Sequence, residues 1–186
     1  MINEETFWQK VRYPSRSKKL RVILFHKGSH LHKAKEYLSQ FRNVRIVDLD
    51  TDVYTYISKE RIDEFRELEK SNRTAFENIV NPIKEKVIHS MIHSSKKGFR
   101  YVVVFGSDYR MFRNFGVKQE RIVALVPELE GEAYKEIAKD EEISKHREQL
   151  ISSGVNVEYY KDVKELTDQL ISFLSLPTIS DGRKRK

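Results

Sequence analysis

Five short apolar segments alternate along the chain with longer amphipathic ones. The apolar segments are Leu20–Phe25, Val44–Asp48, Phe99–Phe105, Arg121–Val126 and Val155–Tyr159. Short runs rich in branched apolar residues are typical of parallel strands that are buried on both faces. Between them, apolar residues recur at helical spacing, as after the first segment, where the positions are Leu31, Ala34, Tyr37, Leu38 and Phe41. The alternation predicts an α/β fold, a single three-layer domain with a parallel, doubly wound sheet of about five strands.

Local signals predict where several helices begin. A charged helix is expected over Ser58–Glu69 with Ser58 as its cap. Asn81-Pro82 predicts a sharp start for a long helix, after a separate short helix over 73–80, because Pro suits a first turn. Ser107 or Asp108 is expected to cap a short helix that follows the third strand, and a last helix is expected over Asp162–Leu174.

Length and composition limit the class of protein. The 186 residues suffice for one domain with a sizeable core, and we expect an N-terminal arm over 1–19, the α/β domain over 20–176 and a flexible basic tail over 177–186. The chain contains no cysteine, which excludes disulfides and thiolate metal sites. No apolar run approaches membrane-spanning length, and the polar start MINEETFWQK is unlike a signal peptide. We therefore expect no membrane partner and an intracellular or virus-particle location, not a secreted protein.

The charge is unevenly distributed. The net charge is +7, from 35 Lys and Arg against 28 Asp and Glu, and residues 10–35 carry no acidic side chain. Such an excess favours polyanionic partners, and nucleic-acid contacts are expected from two basic clusters. They comprise Arg110, Arg113, Lys118 and Arg121, and the tail residues Arg183, Lys184, Arg185 and Lys186. Tyr109, Phe112 and Phe115 are interleaved with the first cluster, either as stacking surfaces or as core residues whose basic neighbours form the solvated edge.

An acidic stretch follows the second strand. Asp48, Asp50 and Asp52 recur at every second position, so extended backbone would place all three on one face. Carboxylates this close repel one another unless a metal ion, Lys or Arg sits among them, and their oxygens suit Mg²⁺. The alternative is a solvated strand-to-helix turn in which Thr51 or Asp52 caps the next helix.

The first strand leads into a glycine turn where a phosphate loop would lie. Lys27, Gly28 and Ser29 are present, but the Gly-Lys-Ser/Thr order of a Walker loop is absent, so a working Walker loop is not expected. The following helix start could still bind a phosphate through its amides, with help from Lys27, Gly28, Ser29 and His30. The neighbouring His26, His30 and His32 lack an acidic partner within the loop and are expected to be exposed loop histidines.

The order of these parts resembles phage and bacterial nucleotide-kinase-like proteins of the P-loop nucleoside monophosphate kinase class. The resemblance rests on the first strand and loop, the acidic end of the second strand, the Asn-Pro helix, FRYVVVFGSD and a strand ending in Val-Pro. It extends over about residues 20 to 174. Because HKGSHLHKAK lacks the phosphate-binding pattern, the resemblance implies a degenerate relative kept for its shape. Such a protein would be a non-catalytic structural or interaction component, with other subunits of a phage or viral assembly as partners.

Two other classes stay open. Haloacid-dehalogenase-like phosphatases carry Asp-x-Asp after a strand, which would make Asp48 the nucleophile and Asp50 the acid/base, with Mg²⁺ as cofactor. Against this resemblance, Asp52 stands where that family has Thr or Val, and a strand and helix precede the motif. The third class is a basic α/β module that binds nucleic acid without sequence preference.

Overall fold

Five parallel strands form one sheet in the order β2–β3–β1–β4–β5. They are β1 (Leu20–Leu24), β2 (Val44–Asp48), β3 (Tyr101–Gly106), β4 (Ile122–Pro127) and β5 (Val157–Tyr160). The computed structural model describes residues 17–94, 98–135 and 141–177. The expected arm therefore lies outside the described residues as far as residue 16, and the four basic tail residues lie outside them entirely. The predicted five-stranded parallel sheet is confirmed.

Eight α-helices connect or follow the strands within the described ranges. They are α1 (Leu31–Leu38), α2 (Leu49–Asp52), α3 (Ile62–Ser71), α4 (Arg73–Ser94), α5 (Tyr109–Asn114), α6 (Glu132–Lys135), α7 (Glu141–Ser152) and α8 (Val163–Leu174). Two 3₁₀ turns, Val53–Tyr56 and Lys59–Arg61, lead from α2 to α3, and a third, Gln119–Arg121, precedes β4. None of the described helices combines the length and the apolar character needed to cross a membrane.

Each face of the sheet has its own core, which makes the fold three-layered. One core joins alternate strand residues such as Leu24 and Val104 to α4, α5 and α7. The other joins the intervening strand residues, such as Ile23 and Val103, to α1 and α8. This alternation is the two-residue period of a strand, and both sets are apolar because both faces are covered by helices.

The long helix α4 differs from its predicted form. It runs without a break from Arg73 to Ser94 and contains Pro82, so the predicted helix start at Asn81-Pro82 is wrong. The side chain of Asn72 instead accepts a hydrogen bond from the amide of Ala75, 3.1 Å away, at the true start. Apolar residues keep helical spacing on both sides of Pro82. Proline has no amide hydrogen, so one carbonyl of the preceding turn loses its partner, and because Pro82 is exposed that carbonyl can bond to water.

A small third core lies apart from the sheet. It packs the 3₁₀ turn after α2 against α3 and the first half of α4, through Val53, Ile57, Phe65, Phe76 and Val80. The charged helix that precedes α4 begins later than predicted, and Ser58 makes no capping hydrogen bond through its side chain. This outlying unit forms one wall of the cleft described next.

Candidate functional site

A cleft of about 1490 Å³ opens at the carboxyl ends of β1, β2 and β3. Its floor includes the turn after β1 and the residues Gly106, Ser107 and Asp108 after β3. One wall is the first half of α4, and another is the face of α7 that runs from Glu142 to Leu150. Open parallel sheets commonly bind their ligands at this edge, so the cleft is the leading candidate site.

Asp48, the last residue of β2, holds a buried carboxylate at the edge of the cleft. Its residue is 8% exposed. The Nζ atom of Lys35, on α1, lies 2.7 Å from Oδ2 of Asp48, and the hydroxyl of Thr51 donates to the same oxygen over 3.2 Å. The negative charge that the sequence places here is therefore neutralised from within the chain.

Asp50 forms a second pair with a lysine from a distant helix. Its Oδ1 atom lies 2.5 Å from Nζ of Lys84, on α4, and its Oδ2 atom accepts a hydrogen bond from the hydroxyl of Ser107 over 2.8 Å. Asp50 thereby ties the end of β3 to the wall of the cleft. A lysine beside each of these carboxylates confirms one of the expected ways to relieve their repulsion.

The backbone of the acidic stretch is helical rather than extended. Because α2 begins at Leu49, Asp48, Asp50 and Asp52 do not share a strand face, and that prediction is wrong. Asp52 instead accepts a hydrogen bond through Oδ2 from the backbone amide of Asp48, 3.0 Å away. The expected capping by Thr51 or Asp52 is also wrong, since both side chains bond back to Asp48.

The three carboxylates do not converge on one point as a group of metal ligands would. No group of three or more His, Asp or Glu side chains within the described ranges is placed to hold a metal ion. Each of Asp48 and Asp50 has an ammonium group within ion-pair distance instead. Asp108, which the sequence also places near this edge, caps α5 by accepting from the amide of Arg110 over 2.9 Å.

One side of the turn after β1 is covered by α7, while Lys27 and Gly28 stay exposed. Gly28 has φ +77°, and a Cβ atom built on it would lie 2.6 Å from Cδ1 of Ile143. The amide of Lys27 donates a hydrogen bond to Nδ1 of His146 over 2.9 Å. The Lys27 ammonium also forms an ion pair with the carboxylate of Glu142. Contacts from three residues near the start of one helix therefore hold this loop in place.

The histidines of the same loop do not behave alike. His30 is buried, and its Nδ1 atom lies 3.4 Å from the hydroxyl of Tyr160, so its ring faces the core instead of the phosphate position expected of it. Burial raises the pKa of that tyrosine. His32 is exposed, as expected for a loop or helix-start histidine, and it lines the cleft.

His26 is the clearest exception to the expectation of exposed loop histidines. It is 2% exposed, and its Nδ1–H donates to the carbonyl of Lys27 over 2.8 Å. No polar group within the described ranges pairs with its buried Nε2 atom. The pKa of His26 is lowered to about 4, mainly by burial, with a further contribution from the neighbouring His146, Arg147 and His30 and an opposing one from the hydrogen bond to Lys27. Its position directly after the apolar run LRVILF was the available sequence signal for burial.

The predicted basic cluster is divided between the two ends of the sheet. Arg110 and Arg113 are exposed on α5, with Arg110 beside the cleft, whereas Lys118 and Arg121 precede β4 at the opposite end. The aromatic residues between them belong to the core: Tyr109 and Phe112 are buried, and Phe115 packs against them. These rings are therefore unavailable for base stacking, and the alternative in which they are core residues is confirmed.

Sequence reasoning missed Lys35, Lys84 and the α7 residues that complete the site. Each of them meets its partner well beyond the range of a local motif: Lys35 and Asp48 are 13 positions apart, Lys84 and Asp50 are 34 apart, and Lys27 and His146 are 119 apart. No local pattern marks such residues, because a lysine on an amphipathic helix is ordinarily solvated.

Comparison with known proteins returned no match: no protein-family model, no curated protein and no solved structure matches the chain.

Proposed function

We propose that the protein is a non-catalytic, nucleotide-kinase-like α/β protein that acts as a structural or interaction component. The observation that carries the proposal is the covered turn after β1. The five-stranded parallel sheet, with β1 at its centre and a cleft at its carboxyl edge, supports the nucleotide-kinase-like part of the proposal.

A phosphate loop needs backbone amides and a lysine that are available to the phosphate. Here the amide of Lys27 donates to His146, and that of Ser29 donates to the carbonyl of His26 over 3.2 Å. The Lys27 ammonium is paired with Glu142, but that ion pair is mostly exposed and therefore weak. A phosphate would have to displace the two amide hydrogen bonds, which favours a loop that serves packing over one that serves phosphoryl transfer.

The charge of the cleft supports the same conclusion. Its lining carries both signs in nearly equal number, the cations being Lys27, Lys35, Lys70, Arg73, Lys84, Arg110 and Lys145 and the anions Asp48, Asp50, Glu69, Glu77, Asp108 and Glu142. Several of them pair with one another, as Arg73 does with Glu69 at 3.2 Å and with Glu77 at 2.7 Å. Because the two signs nearly cancel, the cleft lacks the strong electrostatic attraction that concentrates polyphosphates.

Phosphotransfer and nucleotide binding test the proposal together. With ATP, Mg²⁺ and each nucleoside monophosphate, we expect no labelled product and no rise in melting temperature from millimolar ATP, since a ligand stabilises only a state that it binds. Glu142→Gln combined with Ile143→Ala removes two of the three α7 contacts with the turn, and a rise in melting temperature with ATP that the parent chain lacks would show that α7 closes it. Glu141→Gln, at the start of the same helix, is the matched control. Saturable turnover that disappears in Lys27→Ala would overturn the proposal.

The phosphatase interpretation retains one supporting observation, which is that Asp48 and Asp50 line the same cleft. Its test is hydrolysis of a generic phosphate monoester with Mg²⁺ by the wild-type chain and by Asp48→Asn. Turnover that is lost in this variant would establish the phosphatase, and we expect none because Lys35 and Lys84 occupy the positions beside both carboxylates.

A further inference from the structure

The two ends of the sheet differ in charge. The segments that enter β1, β2, β3 and β4 lie side by side, since Leu20 is in register with Val102, Val44 with Tyr101 and Val22 with Ile122. Over residues 17–21, 41–45, 98–101 and 117–121 these segments carry one acidic residue, Glu120, and eight basic ones. The basic residues, called here the amino-edge row, are Lys18, Lys19, Arg21, Arg42, Arg45, Arg100, Lys118 and Arg121.

From the amino-edge row we infer a nucleic-acid-binding surface at the end of the sheet opposite the cleft. The inference extends the proposed interaction role by naming its partner, and it uses none of the contacts that cover the β1 turn. Neighbouring strands are roughly 4.8 Å apart, so four strand entries present their cations along a row about 14 Å wide. A row of this kind can neutralise several phosphates of one backbone and release their counterions.

Several cations of the row are accessible. Lys18, Arg42, Arg100 and Lys118 are exposed. Lys118 has Glu120 within 3.8 Å, whereas no ion pair to a described residue engages Lys18, Arg42 or Arg100. An exposed ion pair like that of Lys118 is weak and can be exchanged for a phosphate.

Packing also orients part of the row. The guanidinium groups of Arg21 and Arg100 lie 4.9 and 5.1 Å from the ring centroid of Tyr101, and that of Arg45 lies 5.8 Å from the ring of Phe99. Arg21 also donates through Nη1 to the carbonyls of Lys18 and Leu20. Stacked guanidinium groups keep their forked donors in a defined direction, which suits bidentate contacts to phosphate better than mobile lysines do. Carboxylates accept from the same forks, so it is the number of cations in one row that favours a phosphate backbone, which carries a charge at every nucleotide.

The experiment compares full-length variants that lose the same three charges from different surfaces. In Lys18→Gln/Arg42→Gln/Arg100→Gln the loss falls on the amino-edge row. In the control, Lys59→Gln/Lys86→Gln/Lys164→Gln, the three charges are lost from exposed lysines elsewhere on the protein. The net charge of +7 therefore decreases by the same amount in both variants. Binding to a labelled mixed-sequence single-stranded DNA, the corresponding RNA and a DNA duplex is measured by fluorescence anisotropy over a range of salt.

We expect the wild type and the control to bind alike at low salt and the row variant to bind at least about tenfold more weakly. Its log–log salt dependence should flatten by roughly one unit for each lost phosphate contact. A full-length variant with Gln at 183–186 measures the tail separately. Three outcomes would each overturn the inference. They are loss of all binding in the tail variant, equal weakening of binding in the row variant and the control, and no binding by the wild type. Equally tight, row-dependent binding to poly-glutamate would assign the surface to acidic proteins and overturn it as well. None of these outcomes bears on phosphotransfer, which tests the covered turn alone.

Discussion

The ammonium group of Lys84 lies 2.5 Å from the carboxylate of Asp50, and the two residues are exposed to very different degrees. The Lys84 side chain is 12% exposed, whereas that of Asp50 is 43% exposed and also accepts from Ser107. Removing one partner or the other should therefore have unequal effects. A buried charge without its partner is costly, whereas a carboxylate that already reaches water is not.

Asp50→Asn should lower the free energy of unfolding by about 1–2 kcal/mol, because Lys84 then stays largely buried without a full counter-charge. Lys84→Met should lower the free energy of unfolding by less than Asp50→Asn does. The methionine replaces the methylene stem with an apolar chain of similar length, and Asp50 stays solvated. Lys86→Met, at an exposed position of the same helix, serves as the control and should change stability by no more than about 0.5 kcal/mol. Urea unfolding measures all three, and a larger loss in Lys84→Met than in Asp50→Asn would contradict the argument.

The glycine turn after β1 allows backbone strain to be separated from contact with α7. Gly28 and Gly154 both have left-handed backbone, with φ of +77° and +83°. A Cβ atom at Gly28 would meet Ile143, whereas one at Gly154 would meet nothing within 4 Å. Alanine at either position should lower the free energy of unfolding by about 1–2 kcal/mol because of the left-handed backbone. Gly28→Ala should lower it by about 1 kcal/mol more because of the contact with Ile143.

The control is a double-mutant comparison. In an Ile143→Ala background the extra cost at Gly28 should disappear, so that Gly28→Ala and Gly154→Ala become equivalent in denaturant unfolding. Equal costs in the wild-type background would mean that α7 does not press on the turn, and the account of a covered loop would then fail.

Local signals allowed much of the fold to be predicted, but not the partners within the site. Asp108 caps its helix as expected, with a hydrogen bond of 2.9 Å, because a cap depends on residues within three positions. Asp162, expected as the first residue of the last helix, caps it over 2.8 Å, and the helix begins one residue later. The partners of Asp48 and Asp50 depend instead on how α1 and α4 pack on the sheet. The helical form of α2 did have a sequence signal, because the apolar residues Leu49 and Val53 are four positions apart, as on one side of a helix. Both are buried in the structure, Leu49 in a sheet core and Val53 in the third core.

The last prediction concerns the pH dependence of stability that His26 imposes. Burial lowers the pKa of His26 from 6.5 to about 4 in the folded protein. Between these values the unfolded chain binds a proton at this residue and the folded chain does not, so stability rises with pH across this window. The contribution of neutral His26 is present in full above pH 6.5 and is lost as the pH falls toward about 4. The difference in pKa corresponds to a loss of up to about 3 kcal/mol.

Urea unfolding of the wild type and of His26→Leu from neutral pH down to about pH 4 should show this loss as a difference between the two pH profiles. The comparison is needed because the pKa of His89 is also lowered by burial, so that the wild-type profile contains both histidines. His89→Gln provides the matched control, since it removes the second titration and leaves that of His26 in place. Where His26→Leu is too unstable to measure, the imidazole resonances of the folded wild type give the same answer. A His26 ring that takes up its proton near pH 6.5 in the folded protein would show that the residue is hydrated, and that α7 does not seal the turn after β1.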